Sequence, residues 1–257
     1  MIRVEQDGAI VTVTLDAPER SNAIDLASME RLGAILDDVE DRDDVRCVVI
    51  TGAGGCFSAG ADLPERGKDG MGDSSAVMAA VSQIIDGLAH SRLPIVAKVD
   101  GAAAGVAASI AFACDIVIAS EEAFFLMPFL PIALVPDGGA TLTIAASIGR
   151  ARAMRMALLG ERLEARHALE AGLVAEVWAR EQLDARVLRV ARMLEGGPSV
   201  AIARTKALIN ESTLATLGKA LEREAEEQLP LLASPEFAEG VAAFRERRRP
   251  QFSGATG

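Results

Sequence analysis

A chain of 257 residues, of which 50% are hydrophobic and 25% charged, is long enough to bury a large core and has the composition of an ordinary globular protein. Its net charge of −11 argues against nucleic acid as a general partner. Its three scattered cysteines argue against a disulfide framework or a structural zinc site and indicate a reducing, cytoplasmic compartment. The first ten residues lack the basic-then-apolar form of a signal peptide.

The first half of the chain alternates strand patterns with helix patterns. Residues 2–16 alternate apolar and polar side chains on both sides of Asp7-Gly8, which predicts a β-hairpin with a tight turn. Further periodicities predict helices at residues 25–42, 76–91 and 105–113. They predict strands at residues 45–52, 94–99 and 115–120, and the first of these strands is expected to be buried on both faces. Residues 67–75 are polar and glycine-rich, which predicts a mobile loop. This order is typical of α/β proteins.

The second half, from about residue 138, is predicted to be mainly helical. Glycines stand where C-terminal caps of these helices belong, at Gly149, Gly160, Gly172 and Gly196-Gly197. A short strand is predicted within residues 171–178, and the last helix is predicted to begin with Ser234 as its N-cap and Pro235 at its first position. We expect this helical tail to pack either on its own α/β body or on a neighbouring subunit.

The side chains available for acid–base chemistry are few. The chain has no tyrosine, and its two histidines, His90 and His167, lie in patterns typical of exposed helices. A Ser–His–Asp nucleophile and a histidine-rich metal site are therefore not expected. If the protein is an enzyme, carboxylates or backbone dipoles carry its chemistry.

Two loops of small residues each follow an apolar strand and lead towards a helix. They are "TGAGGCFSAGADL" at 51–63 and "DGAAAGVAAS" at 100–109, and neither continues as a phosphate-binding Gly-Lys-Ser/Thr loop. The apolar run 101–114 is shorter than the roughly 20 residues that a bilayer requires, so no membrane partner is expected. The small residues indicate either tight helix packing or a close approach of a ligand to backbone N–H groups. Two such groups aimed at one point would polarise a carbonyl oxygen.

Four segments together resemble the crotonase superfamily, also called the enoyl-CoA hydratase/isomerase family. They are "PERSNAID", "VVITGAGGCFSAGADL", "PIVAKVDGAAAGVAASIAFACDIVIAS" and "LVPDGGAT", and they occur in the order that the family has, within a similarity from about residue 3 to the end. The motifs "LVPDGGAT", "GRARAMRMALLG" and "FRERRRPQFSG" are most similar to the branch that isomerises the ring epoxide of phenylacetyl-CoA.

The resemblance implies an α/β fold with a crotonase-like spiral of ββα units over residues 1–195. It implies a C-terminal helical region over residues 196–257 that assembles homotrimers or dimers of trimers. The implied partner is an acyl-CoA thioester. No separate cofactor is implied, because coenzyme A enters as part of the substrate.

The resemblance also assigns roles to residues of the two small-residue loops. The oxyanion hole would consist of the backbone N–H groups of Ala61 and Ala107. Coenzyme A would lie along Arg20 and Ala23, with its adenine near the segment that contains Ala59, Asp62 and Leu63. Arg20 either pairs with a phosphate or is an exposed loop residue. Asp62 either contacts the ligand or caps a helix that begins there.

Family hydratases place two glutamates across the substrate double bond, and both are replaced here. The corresponding positions hold Ser109 and Phe129. A hydroxyl and a phenyl ring cannot exchange a proton with carbon at neutral pH, so efficient hydration is not expected. Phe129 and Leu134 are assigned to an apolar acyl pocket, although ordinary core packing also explains such residues. Ser109 either holds a water or bonds its own helix backbone.

Asp137, in the motif "VPDGGAT", is the acid that remains near this position. In the similar isomerase branch the corresponding aspartate moves the proton. The alternative is that Asp137 caps the helix that follows, which would lower its pKa. The function expected from the sequence is isomerisation of an unsaturated or ring-containing acyl-CoA through an enolate. The alternatives are a hydratase of low activity and a non-catalytic acyl-CoA-binding protein.

Overall fold

The computed structural model describes residues 1–63 and 73–252. Over these residues the strands are β1 (Ile2–Asp7), β2 (Ile10–Leu15), β3 (Cys47–Gly52), β4 (Ile95–Val99), β5 (Ala102–Ala104), β6 (Ile116–Ser120), β7 (Phe124–Leu126), β8 (Leu163–Glu164) and β9 (Glu176–Trp178). The first five α-helices are α1 (Leu26–Glu40), α2 (Ser74–His90), α3 (Val106–Ala113), α4 (Ala140–Ile148) and α5 (Arg150–Leu159). The others are α6 (Ala165–Ala171), α7 (Arg180–Glu195), α8 (Ser199–Thr213), α9 (Leu217–Leu232) and α10 (Pro235–Arg245).

The main sheet contains six strands in the order β1-β2-β3-β4-β6-β9 among the described residues. β1 and β2 form the predicted hairpin, with Asp7 opposite Ile10, so that Gly8 and Ala9 make the turn. Gly8 has a φ of 64°, which a glycine adopts without strain. The other neighbouring strands are parallel, so the ends of β3 and β4 that lead into the two small-residue loops lie at one edge of the sheet.

Both faces of the main sheet are covered, as predicted for the strand at 45–52. Val48 and Ile50 of β3 belong to the larger core together with the buried faces of α1 and α2. Cys47 and Val49 of the same strand point to the other face and pack with α7. Because successive strand residues face opposite sides, a continuous apolar run is what a strand between two helical layers requires.

The C-terminal helices pack back on the α/β body of the same chain. α9 contacts α2 and α4, and α10 contacts the short 3-10 helix Leu130–Ile132. A Cβ added to Gly240 of α10 would lie 2.5 Å from the Cα of Ile132, so glycine permits this close contact. In α8 the buried Lys206 ammonium donates to the carbonyls of Leu88 and Leu93 and pairs with Asp115 at 2.9 Å. Of the two arrangements expected for the helical tail, these contacts show the one in which it packs on its own α/β body.

The predicted helices and caps are largely confirmed, while three short strands were not predicted. The glycine caps end α4, α5, α6 and α7, and the Ser234 side chain accepts from the Phe237 N–H as an N-cap. β5, β7 and β8 form a small separate sheet of two- and three-residue strands, which are too short to show a periodicity. Residues 67–72 of the predicted loop lie outside the described residues, whereas Ser74 and Ser75 belong to α2. No described helix has the length and hydropathy that a membrane span requires.

Candidate active site

The two small-residue loops lie side by side at the edge of the sheet. The Ser58 N–H donates to the Ala102 carbonyl at 2.9 Å, and the Ala104 N–H donates to the Ser58 carbonyl at 3.0 Å. Gly60 has a φ of 97°, and a Cβ added to it would lie 2.6 Å from the Ala104 carbonyl oxygen. A residue without a side chain is therefore needed where the first loop passes the second.

The backbone N–H groups of Ala61 and Ala107 donate to no described residue. Ile24 pairs with both neighbours of Ala61, because the Ile24 N–H donates to the Gly60 carbonyl and the Asp62 N–H donates to the Ile24 carbonyl. The Ala61 amide is thereby directed away from this pairing. Ala107 is the second residue of α3, whose N-cap Gly105 provides no side-chain cap. Helix N-termini leave such N–H groups unpaired, and their dipole favours negative charge.

The buried Asn22 fixes the shape of the first loop, and sequence analysis did not single it out. Its Oδ1 accepts from the Ala17 N–H at 2.9 Å, and its Nδ2 donates to the carbonyls of Ala53 and Cys56 at 2.9 and 2.7 Å. Its own carbonyl accepts from the Ser58 hydroxyl. Asn22 has a φ of 55°, and asparagine is one of the few non-glycine residues that adopt this conformation readily. The sequence signal that could have identified Asn22 was a single asparagine in a predicted loop.

Arg20 bridges two carboxylates at one side of this loop pair. Its guanidinium donates to Asp25 at 2.9 Å and to Asp62 at 2.8 Å. Hydrogen bonds from Ser28, through its side chain and its backbone N–H, and from Arg20 lower the pKa of Asp25 from 3.8 to about 2, although burial opposes the shift. Both carboxylates are half-exposed, so a phosphate that approached Arg20 would compete with them for the guanidinium.

The other residues predicted to bind coenzyme A lie at the same corner. The Ala23 N–H donates to the Arg20 carbonyl, the Ala59 N–H donates to the Ser21 carbonyl, and the Leu63 carbonyl accepts from Arg245. Asp62 and Leu63 are not helical. The helix that Asp62 was alternatively expected to cap would fall on residues 64–72, outside the described residues.

Asp137 is a buried carboxyl with one oxygen bonded and the other unpartnered. Its Oδ2 accepts from the Gln228 amide at 2.9 Å, while Oδ1 is buried and has no partner among the described residues. The pKa of Asp137 is raised from 3.8 to about 7, mainly by burial and also by the nearby Glu224, while the Gln228 donor opposes both. Its backbone carbonyl accepts from the hydroxyl of Ser109 on α3 at 2.7 Å. The carboxyl is therefore fixed close to the helix whose first turn holds Ala107.

The expectation that Asp137 caps the following helix, with a lowered pKa, is wrong. α4 begins at Ala140 behind Gly139, and the Asp137 side chain accepts no capping hydrogen bond from its N–H groups. Glu224 of α9 takes that position instead, because its carboxylate accepts from the N–H groups of Gly139 and Thr141 at 2.6 and 3.0 Å. The sequence could not show this, since the capping carboxylate comes from a helix more than 80 residues away.

Ser109 and Phe129 are the two residues that the resemblance assigned to the glutamate positions of family hydratases. The hydroxyl of Ser109 is buried against the Asp137 carbonyl, and its second contact, to the Gly105 carbonyl, is longer at 3.5 Å. Phe129 is buried, and its Cζ lies 3.9 Å from where a Cβ on Gly105 would be. The buried Leu134 donates its N–H to the Phe129 carbonyl. The Phe129 side chain therefore lies beside the N-terminus of α3.

Glu224 and Gln228 were missed as site residues, although the sequence carried a signal for them. The buried positions of α9 are Leu217, Leu221, Glu224, Gln228 and Leu232, which follow one another at spacings of three and four. Two polar residues on an otherwise apolar helix stripe require buried partners. Here those partners are the loop 135–139 and the start of α4.

Comparison with known proteins agrees with the fold. The chain belongs to the enoyl-CoA hydratase/isomerase family, whose sequence model matches residues 5–255. The resemblance seen in the sequence and the crotonase-like α/β fold class are thus confirmed.

Individual relatives cover almost the whole chain. A 1,2-epoxyphenylacetyl-CoA isomerase of Escherichia coli (strain K12) is 37% identical over 95% of both chains. A protein of Rhodobacter capsulatus named as a probable enoyl-CoA hydratase is 36% identical over 98% of both. The crystal structure of an enoyl-CoA hydratase from Mycobacterium avium subsp. paratuberculosis K-10 matches with a TM-score of 0.92, at 40% identity over 98% of both chains. Membership of this family identifies the protein as an enzyme that processes acyl-CoA thioesters.

Proposed function

We propose that the protein isomerises an unsaturated or ring-containing acyl-CoA, with Asp137 as the group that moves the proton. The observation that carries this proposal is the unpartnered Oδ1 of Asp137, buried beside α3 with a pKa of about 7. A group that must first remove and then return a proton works best when its pKa is close to the ambient pH.

The thioester oxygen is proposed to accept from the Ala61 and Ala107 N–H groups. Asp137 Oδ1 removes a proton from a carbon that the thioester activates. The electron pair shifts into a dienolate, and the negative charge of the dienolate rests on the thioester oxygen. The dienolate collapses as Asp137 returns the same proton to a different carbon, so the double bond moves and no atom is gained or lost. One oxyanion-hole donor lowers the barrier by about 3 kcal/mol in another enzyme.

Hydration is less well supported by the same residues. Addition of water to a double bond needs a group to activate the water and a group to protonate the α-carbon. Ser109 already donates its proton to the Asp137 carbonyl, and Phe129 has no proton to exchange. The names of the relatives do not favour either reaction, because an isomerase and a probable hydratase are almost equally similar.

Coenzyme A is proposed to lie along Arg20 and Ala23, with its adenine near Ala59–Leu63. This proposal is supported by the position of these residues beside the Ala61 amide. A phosphate could displace Asp62 from Arg20, since the pair is half-exposed and such pairs are weak in water. Phe129 and Leu134 are proposed to contact the acyl chain.

A double-bond migration assay tests the proposal. With a 3-enoyl-CoA as substrate, we expect the purified protein to form the conjugated 2-enoyl-CoA, followed by its ultraviolet absorbance. Asp137→Asn should reduce the rate at least about 100-fold, because acid–base groups typically contribute factors of 10² to 10⁴. The matched control is Asp184→Asn on α7, whose carboxylate is 83% exposed and pairs with Lys98.

Each alternative has its own outcome in this assay. A full rate in Asp137→Asn contradicts the assignment of the base. Faster addition of water to 2-enoyl-CoA than migration of the double bond would establish a hydratase. Tight binding of acyl-CoA without turnover over a range of chain lengths would establish a non-catalytic binding protein.

A further inference from the structure

We infer that Gln228 and Glu224 of α9 are positioning residues for Asp137. Gln228 donates to Oδ2 and leaves Oδ1 as the oxygen that exchanges the proton. Glu224 accepts from the N–H groups at the N-terminus of α4, so that these groups do not bind the Asp137 carboxyl. This inference rests on the proposed function, since it specifies how the same site works. It gives α9 a part in the reaction, although α9 lies more than 80 residues beyond Asp137 in the chain.

The orientation of the Gln228 amide is fixed by the backbone of one residue. Its Oε1 accepts from the Val135 N–H at 3.0 Å, and its Nε2 donates to the Val135 carbonyl at 3.0 Å. If the amide were flipped, Nε2 would face the Val135 N–H and Oε1 would face the Val135 carbonyl, so neither hydrogen bond could form. The remaining N–H of Nε2 must therefore point at Asp137 Oδ2, which it meets at 2.9 Å.

This fixed donor determines where the proton of Asp137 resides. Because a carbonyl oxygen accepts a hydrogen bond better than a hydroxyl oxygen does, the Gln228 donor at Oδ2 favours the protonated carboxyl that carries its hydrogen on Oδ1. The ionised carboxyl likewise presents its free lone pairs at Oδ1, which has no described partner. Removal and return of the proton then occur at one atom whose direction α9 sets.

Glu224 separates Asp137 from the helix terminus that follows it. Its carboxylate accepts from the N–H groups of Gly139 and Thr141 and from the Thr141 hydroxyl, at 2.6, 3.0 and 2.5 Å. These donors would otherwise be available to stabilise an ionised Asp137. Burial raises the pKa of Glu224, and the hydrogen bonds from Thr141 and Gly139 partly oppose this shift because they stabilise the ionised form.

Among the described residues, Glu224 is the charged group that acts on the pKa of Asp137. The helices α2 and α3 bring uncharged side chains to the Asp137–Gly138 turn, namely Val81 and Ser109. Gln228 and Glu224 therefore act in opposite directions. The Gln228 donor stabilises the carboxylate and lowers the pKa, whereas the charge of Glu224 raises it.

The test compares variants that should move the titration of Asp137 in opposite directions. Gln228→Met removes the donor at similar volume and should raise the pKa of Asp137 by roughly one pH unit or more. Glu224→Gln keeps an acceptor for the α4 amides but removes the charge, and should lower the pKa. Gln228→Glu retains an acceptor for the Val135 N–H and should also raise the pKa, so it replaces Gln228→Met if that variant does not fold.

Two measurements are made on the full chain. The first is a carbon-13 NMR titration of aspartate side-chain carboxyls without substrate, in which Asp137→Asn assigns the signal. The second is the pH profile of kcat/KM for double-bond migration, whose lower limb should move with the NMR titration. Lys219→Gln, an exposed change on the same helix, is the control that should shift neither.

The outcomes separate this inference from the proposed function. Unshifted titrations in both Gln228 and Glu224 variants overturn the inference. Equal loss of activity at every pH, without a shift, shows a merely structural role for α9 and also overturns it. Opposite shifts in the NMR titration, in a protein that moves no double bond, support the positioning of Asp137 and refute the proposed reaction.

Discussion

Asp137 shows how strongly the surroundings of a residue determine its chemistry. In a turn before a helix, an aspartate is ordinarily an ionised cap. Here the cap comes from Glu224, and Asp137 is left buried with a single donor, Gln228. The result is a carboxyl whose pKa of about 7 lets it act both as base and as acid at neutral pH.

The raised pKa of Asp137 predicts a stability cost that grows with pH. Because folding raises this pKa, the native state binds more protons than the unfolded chain between pH 4 and 7. The stabilisation from the protonated form is complete below the unfolded pKa and is lost as the pH rises through 7. Integrated over that window, the loss amounts to roughly 4 kcal/mol at most, at 1.36 kcal/mol per pKa unit.

Denaturant unfolding of the wild type and Asp137→Asn at pH 5 and pH 8 measures this cost. We expect the free energy of unfolding of the variant, relative to that of the wild type, to increase by a few kcal/mol from pH 5 to pH 8. A constant difference would show that Asp137 keeps an ordinary pKa in the folded protein.

At the level of elements, α8 and α9 attach the C-terminal region to the body through polar contacts. In α8, the Lys206 side chain is only 6% exposed and meets two carbonyls and the Asp115 carboxylate. Asp115 also accepts from the Ile95 N–H at the start of β4. These contacts connect α8 with the end of α2 and with the central sheet.

Replacement of Lys206 should therefore destabilise the protein severely. Lys206→Met leaves the Asp115 carboxylate buried without its cation, and loss of one partner of a buried ion pair costs about 3 to 5 kcal/mol. The same substitution at the exposed Lys219 of α9 is the control and should change stability by less than about 0.5 kcal/mol. Thermal and urea unfolding measure both, and equal effects at the two lysines would show that the α8 contact contributes little.

At the level of the whole molecule, the family resemblance predicts a homotrimer or a dimer of trimers. The C-terminal region exposes several large apolar side chains: Val200, Leu208, Ile209 and Phe244. If the protein assembles as the resemblance implies, we expect some of these side chains to be covered at an interface between subunits. The expected particle therefore contains three or six chains of 26.9 kDa.

Sedimentation equilibrium over a wide concentration range measures the number of chains directly. A mass that corresponds to three or six chains at micromolar concentration is the expected result. A single chain at all concentrations would contradict the assembly that the resemblance implies. Limited proteolysis near residue 196 is a separate test of the predicted division into a core at 1–195 and a C-terminal region at 196–257.

The sequence by itself determined the class of fold, the family and most of the elements. These follow from local properties: apolar periodicity along β3 and α1, glycines at helix ends, and the order of four motifs. The resemblance to the family also brought attention to Asp137, Ala61 and Ala107, because the motifs that contain these residues are visible in the chain itself.

Only the tertiary structure decided what surrounds Asp137. Glu224 and Gln228 reach the residue from a helix that is distant in sequence, and their contacts depend on how α9 packs against α2 and α4. The same packing removes water from the carboxyl and so raises its pKa. A local pattern can identify an acid and a helix start, but desolvation and long-range hydrogen bonds exist only once the chain has folded.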